Sequence, residues 1–117
     1  MKVANRIKEN TDFALAIKNG QTFKCQSFTT HIVPNNLNKI RVGISVSKKT
    51  GNAVTRNRIK RQVRAMCDSI FDYQSNSLDI VMIVRHGYLE NNFHENKQKL
   101  LDLISGALKE LINEKKN

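Results

Sequence analysis

The chain has 117 residues, 39% of them hydrophobic and 26% charged, a balance that suits one modest globular core and excludes a disordered or fibrous chain. No apolar run reaches the length of a membrane span, and the opening MKVANRIKEN lacks the apolar block of a secretory signal, so the sequence predicts a single cytoplasmic domain over 1–117 with no membrane contact. The net charge of +10 points to a polyanionic partner.

In chain order, NTDFALAIKNG (10–20) predicts a short helix. Asn10 or Thr11 can cap its start, and Gly20 lies just past its end, where a left-handed residue is favoured. Phe13 and Ile17 share a face, the spacing that docks a helix on a core. TFKCQSFTTHIV (22–33) predicts one or two strands, and PNNLNK (34–39) a turn-rich connector. KIRVGISVS (39–47) is the clearest strand. Ile40, Val42, Ile44 and Val46 point one way; Arg41, Gly43, Ser45 and Ser47 form a polar, small-residued face suited to the border of a groove.

The pattern then turns helical. Ile59, Val63, Met66 and Ile70 form an apolar stripe, Asn52 is placed to cap the first turn, and Asn57, Lys60, Arg61 and Arg64 fall on the opposite side. Arg58 flanks that side and Arg56 lies nearer the apolar edge. SLDIVMIVR (77–85) is apolar on both faces and predicts a central strand. A last helix over 93–115 carries Leu101, Ile104, Leu108 and Leu111 as its stripe, with Asn92 and Glu95 as a capping box. The order predicts an α/β sandwich of one mixed sheet with helices packed on it.

Charge is concentrated in the centre. Between Phe13 and Cys67 lie eleven Lys or Arg residues and no acid. The segment KKTGNAVTRNRIKRQVR (48–64) alone holds seven cations and two asparagines. A solvated face mixes both signs, whereas a one-signed helix anchored by an apolar stripe holds arginines and lysines where they can meet phosphates. Lys48, Lys49 and Gly51 precede the helix, whose open amides add a positive end. Catalysis by the chain itself finds little support. Asp68 and Asp72 are the only carboxylates near the basic segment, His31, His86 and His94 show no partner spacing, and no phosphate-loop or zinc-ligand pattern occurs. Two cysteines, Cys25 and Cys67, suit a reducing compartment as free thiols. Phe13, Ile17, Phe28 and His31 leave two readings open: rings that stack unpaired bases, or side chains of the core, which spacing alone favours.

GISVSKKTGNAVTRNRIKRQVR resembles the signature of the protein subunit of bacterial ribonuclease P, whose hallmark is Arg-Asn-Arg followed by basic residues; Arg56, Asn57 and Arg58 match it, as do Lys60, Arg61 and Arg64. RIKENTDFALAIKNG, RVGISVSKK and DIVMIVR extend the likeness in order along most of the chain. The resemblance implies a two-layer sandwich of a mixed four-stranded sheet with helices, like the second domain of a small-subunit ribosomal protein. It also implies a left-handed β-α-β crossover, against the general handedness rule. The implied function is to assist a catalytic RNA in the magnesium-dependent removal of the 5′ leader from precursor tRNA, with the magnesium held mainly by the RNA and no obligate protein partner. Lys48, Lys49, Asn52, Arg56, Asn57, Arg58, Lys60, Arg61 and Arg64 then contact the catalytic RNA, and no residue of the chain is catalytic or binds metal. Phe13, Ile17, His31, Ser45 and Arg85 border a cleft for the single-stranded leader, which reverses the core reading of Phe13. Ile17 and His31 depart from positions that are often aromatic in the family, and Val84 from a small one. Outside this family, the residues suit another RNA-binding protein of the same fold, or a DNA-binding protein with its helix in the major groove.

Overall fold

Apolar periodicity of two in the strands and near 3.6 in the helices decides which faces meet. The computed structural model describes residues 1–116, with side chains through residue 113. A short turn of 3-10 helix at Val3–Asn5 leads to α1 (Asn10–Asn19), β1 (Gln21–Lys24), β2 (Phe28–Pro34) and β3 (Ile40–Ser45). A second 3-10 turn, Lys48–Thr50, precedes α2 (Ala53–Ile70), then β4 (Leu78–Val84), a third turn at His86–Glu90 and α3 (Phe93–Lys116). The sheet order is β1-β2-β4-β3, with β1, β2 and β4 antiparallel in turn and β3 parallel to β4. The stretch over 22–33, predicted as one or two strands, is thus a hairpin, and 77–85 holds a central strand, buried along both faces.

One face of the sheet carries the main core. Phe28, Ile32, Ile40, Val42, Ile80 and Met82 pack against Ile59, Val63, Met66 and Cys67 of α2 and Leu100, Ile104 and Ala107 of α3. Fully burying Ile59, Val63 and Met66 contributes roughly 1.5–3 kcal/mol each, so α2 is firmly mounted. The stripe of α3 runs through Leu100 and not Leu101, which is 38% exposed. Both leucines satisfy a helical spacing with Ile104, and packing against the sheet selects the first. The other face of the sheet holds α1, across β2 and β4, around a smaller cluster of Ile7, Ala16 and Val81 with Phe13, Val33 and Ile83 packed against it.

Helix ends follow their chemistry. Asn52 Oδ1 accepts from the amide of Thr55 at 2.9 Å, and Asn92 and Glu95 exchange reciprocal bonds of 2.9 Å at the start of α3. Gly20 differs from expectation: its backbone is extended, φ −77° and ψ 158°. Glycine is needed there for space, because an added Cβ would run into the carbonyls of Ala16 and Ile32. In the connector 34–39, Asn38 takes the left-handed conformation at φ 55°. Both cysteines are free thiols, and burial pushes that of Cys67 up to about 12. No helix among the described residues is long and apolar enough to cross a membrane.

Candidate nucleic-acid interface

Because the stripe of α2 faces the sheet, its other side is presented on a rigid support. Asn57, Arg58 and Arg61 are exposed there, Lys60 and Arg64 flank them half-buried, and Lys48, Lys49 and Asn52 are exposed on the turn before the helix. Arg56 is half-buried, as its place near the apolar edge implies, and donates from Nη1 to the carbonyl of Gly51 at 2.9 Å, bracing the turn against the helix. Thr55 is held by the Asn52 cap, while Ala53 and Val54 carry amides that an α-helix leaves without an intrahelical acceptor. Among the described residues, no carboxylate lies within ion-pair distance of the seven cations between Lys48 and Arg64. The arrangement can hold several phosphates at fixed spacing.

The acid-free block is less uniform in space than in sequence. Arg41 is taken out of it by Asp79, with Nε to Oδ1 at 2.9 Å and Nη2 to Oδ2 at 2.6 Å, while Asp12 lies 3.5 Å away. The hydrogen bonds to Asp79 are the chief reason that the Arg41 guanidinium is held above its ordinary pKa. Register explains the pairing: Arg41 and Asp79 are partners on neighbouring parallel strands.

The second predicted surface lies on the opposite face of the sheet, beside α1. Across that face, register sets Thr22, His31, Val81 and Gly43 in one row and Lys24, Thr29, Ile83 and Ser45 in the next. Phe13 leans over Gly43 so closely that an added Cβ would lie 2.5 Å from its Cζ. Its ring is half-buried, seated on the sheet against the cluster of Ile7, Ala16 and Val81. Ile17 does not pin the helix, being 47% exposed. Ala16, at 0% exposure, does so instead. A small residue lets the helix backbone approach the sheet, and this turns Ile17 outward.

His31 is 9% exposed, so it is packed into the sheet face and does not offer a free ring face. Its Nδ1 lies 3.0 Å from the Thr22 hydroxyl, and burial, with Lys24 second, holds its imidazole below the ordinary value. Phe28 is fully buried and meets Tyr88 edge-on at 5.6 Å, which settles it as core. Ser45 and Arg85 are exposed at the ends of β3 and β4, and Arg85 donates from Nη1 to the Cys25 carbonyl at 2.9 Å. Parallel pairing brings those strand ends together, so Lys48 and Arg85 follow from the same end of the sheet. Thr29, Ile83 and Lys24 were not singled out from sequence; alternation along 77–85 could have found Ile83, but the partners across β2 and β1 require the register.

Behind this end, Tyr88 Oη donates to Gln62 Oε1 at 2.8 Å, tying α2 to the turn after β4. Burial pushes the Tyr88 phenol up to about 12. Ser27, Asn96 and the Tyr88 carbonyl continue the network at 2.5 and 2.9 Å. Asp68 and Asp72 serve structure. Asp68 accepts from the Met1 ammonium and from Tyr73 Oη; burial pushes its carboxyl up, but these donors hold it below the ordinary value. Asp72 accepts from the Gln74 amide at 3.1 Å in the turn past α2.

Fold and charge define a class: a small α/β sandwich that mounts an unopposed cationic helix on one face of its sheet and packs α1 on the other. The family model described as Ribonuclease P matches residues 1–108. The chain is 40% identical over 110 residues to the ribonuclease P protein component of Mesoplasma florum, covering 93% of this chain and 100% of that one. It is 38% identical over 104 residues to that of Streptococcus pneumoniae, covering 89% and 85%. Among solved structures, the Staphylococcus aureus RNase P protein superposes with a TM-score of 0.80 at 33% identity, over 88% of this chain and 94% of that one. The Thermotoga maritima RNase P protein superposes with a TM-score of 0.73 at 30% identity, over 84% and 93%. The chain belongs to the ribonuclease P protein family.

Proposed function

We propose that this chain is the protein cofactor of a ribonucleoprotein endoribonuclease that removes the 5′ leader from precursor tRNA in the cytoplasm. Family membership supplies the protein component of ribonuclease P; the division of labour is our reading. Helix α2 and the turn before it bind the catalytic RNA through Lys48, Lys49, Asn52, Arg56, Asn57, Arg58, Lys60, Arg61 and Arg64. The groove between α1 and the sheet takes the single-stranded leader, with Phe13 as its ring, Ile17 and Ser45 on its rim, His31 in its floor and Arg85 at its end.

The observation that carries this reading is the cationic face of α2, clamped to the sheet and unopposed by any carboxylate among the described residues. A chain that held the reacting magnesium would need converging oxygen ligands. Among the described residues no group of three or more His, Cys, Asp or Glu could hold a metal ion. On the family resemblance, the magnesium-dependent chemistry is assigned to the RNA. The protein neutralises phosphates, lowers the magnesium that the RNA requires, and adds affinity for substrates bearing a leader.

Comparing precursor and mature tRNA as ligands of the RNA, with and without the protein, tests the leader assignment. The protein is expected to strengthen precursor binding selectively. Equal strengthening of both tRNAs would remove the leader from the account.

A further inference from the structure

Val54 is 78% exposed, against 55% for Val3 and 54% for Ile112, the next most exposed large hydrophobic residues described. Single exposed apolar residues are ordinary on protein surfaces. The placement of Val54 is what sets it apart. At 100° per residue it lies about 20° around the helix axis from Arg61, in the middle of the outward face. Asn57 and Arg58 flank it one turn along, and all three neighbours are exposed. The buried stripe of Ile59, Val63 and Met66 faces the other way, so docking of α2 makes no use of Val54. The Asn52 cap on Thr55 fixes the first turn that carries it.

We infer that Val54 is an apolar seat for one nucleotide of the partner RNA, packing against the face of a base or ribose whose phosphate is held by Arg58 or Arg61. This rests on the reading of α2 as the RNA-binding surface and adds to it a contact that is not electrostatic. Charge complementarity selects the occupant, since the seat is ringed by cations and asparagine that suit a sugar–phosphate chain. A β-branched side chain in a helix holds one rotamer, so packing on it sacrifices little side-chain freedom, unlike packing on lysine or arginine. The basic face then combines flexible charged arms with one stiff apolar point, which fixes the register of the RNA that charge alone leaves free to slide.

The test is equilibrium binding of transcribed bacterial ribonuclease P RNA to the full chain across a salt series, for wild type, Val54→Ala, Val54→Thr and Arg58→Ala. Removing the valine methyls is expected to weaken binding about five-fold, short of the loss for complete burial. The slope of affinity against salt should be unchanged, because an apolar contact releases no counterions. Val54→Thr keeps the shape and should weaken binding in the same way, and the thermal midpoint should hold for both. Wild-type binding by Val54→Ala beside weakened Arg58→Ala overturns the inference and leaves the RNA-binding face standing; it also directs Val54 to a protein contact. A flattened slope for Val54→Ala overturns the apolar role. Wild-type binding by all three variants overturns the reading of α2 itself.

Discussion

The seating of Phe13 on Gly43 can be tested by filling the space between them. In Gly43→Ala the new methyl would lie 2.5 Å from Phe13 Cζ, 2.8 Å from Cε1 and 3.0 Å from Cε2. The ring must leave its seat or α1 must shift. Overpacking of this kind costs about 2 kcal/mol, roughly 8 °C in Tm for a domain of this size. Without the ring the sign changes, since alanine is favoured over glycine within a strand by about 0.5–1 kcal/mol. In a Phe13→Ala background, Gly43→Ala is therefore expected to be neutral or stabilising. Urea unfolding of the four proteins gives the coupling directly, expected at about 2 kcal/mol or more. The same displacement should weaken leader-dependent affinity, which the isolated chain's stability does not report. Equal destabilisation by Gly43→Ala in both backgrounds would refute the packing of Phe13 on Gly43.

Arg58→Ala or Arg61→Ala should weaken RNA binding and reduce its salt slope by about one each, because each removes a phosphate contact; an unchanged slope counts against them. Asn52→Ala should cost about 1 kcal/mol in thermal or urea unfolding through loss of the bond to Thr55, and no loss of stability would remove its capping role. His31 is held below its ordinary 6.5 by burial and by Lys24. The unfolded chain therefore takes up a proton that the folded chain resists, so stability is full above the unfolded value and falls as pH drops below it. From about pH 7.5 to about pH 5, Tm should fall for wild type and fall less for His31→Gln; parallel curves would show that His31 does not titrate against the fold.

Much of the fold was legible because local signals agreed with one another. Ile59, Val63 and Met66 marked the buried side of α2, Asn52 its start, and Asn92 with Glu95 the start of α3, as found. Ambiguity arose where two local patterns were equally good. Leu100 fits a helical spacing with Ile104 as well as the predicted Leu101 does, and Ala16 one with Phe13 as well as the predicted Ile17 does; only the facing surface decides between them. The linear charge count overstated the basic block, since Arg41 meets Asp79 across 38 residues of sequence through a strand pairing that no local pattern encodes. The sheet face beside α1 was half legible for the same reason. Helix spacing favoured Phe13 and Ile17 as core, and only the family resemblance set them beside a cleft, while Thr29, Ile83 and Ser45 become neighbours only once β2, β4 and β3 are in register.

The central claim is that the chain positions and neutralises while the RNA does the chemistry. Its most direct test is 5′ cleavage of a precursor tRNA at low magnesium by bacterial ribonuclease P RNA alone, by the purified protein alone, and by the two together. The account predicts little cleavage by the RNA alone, none by the protein alone, and strong stimulation when they are combined. No stimulation, or cleavage by the protein without RNA, would contradict it.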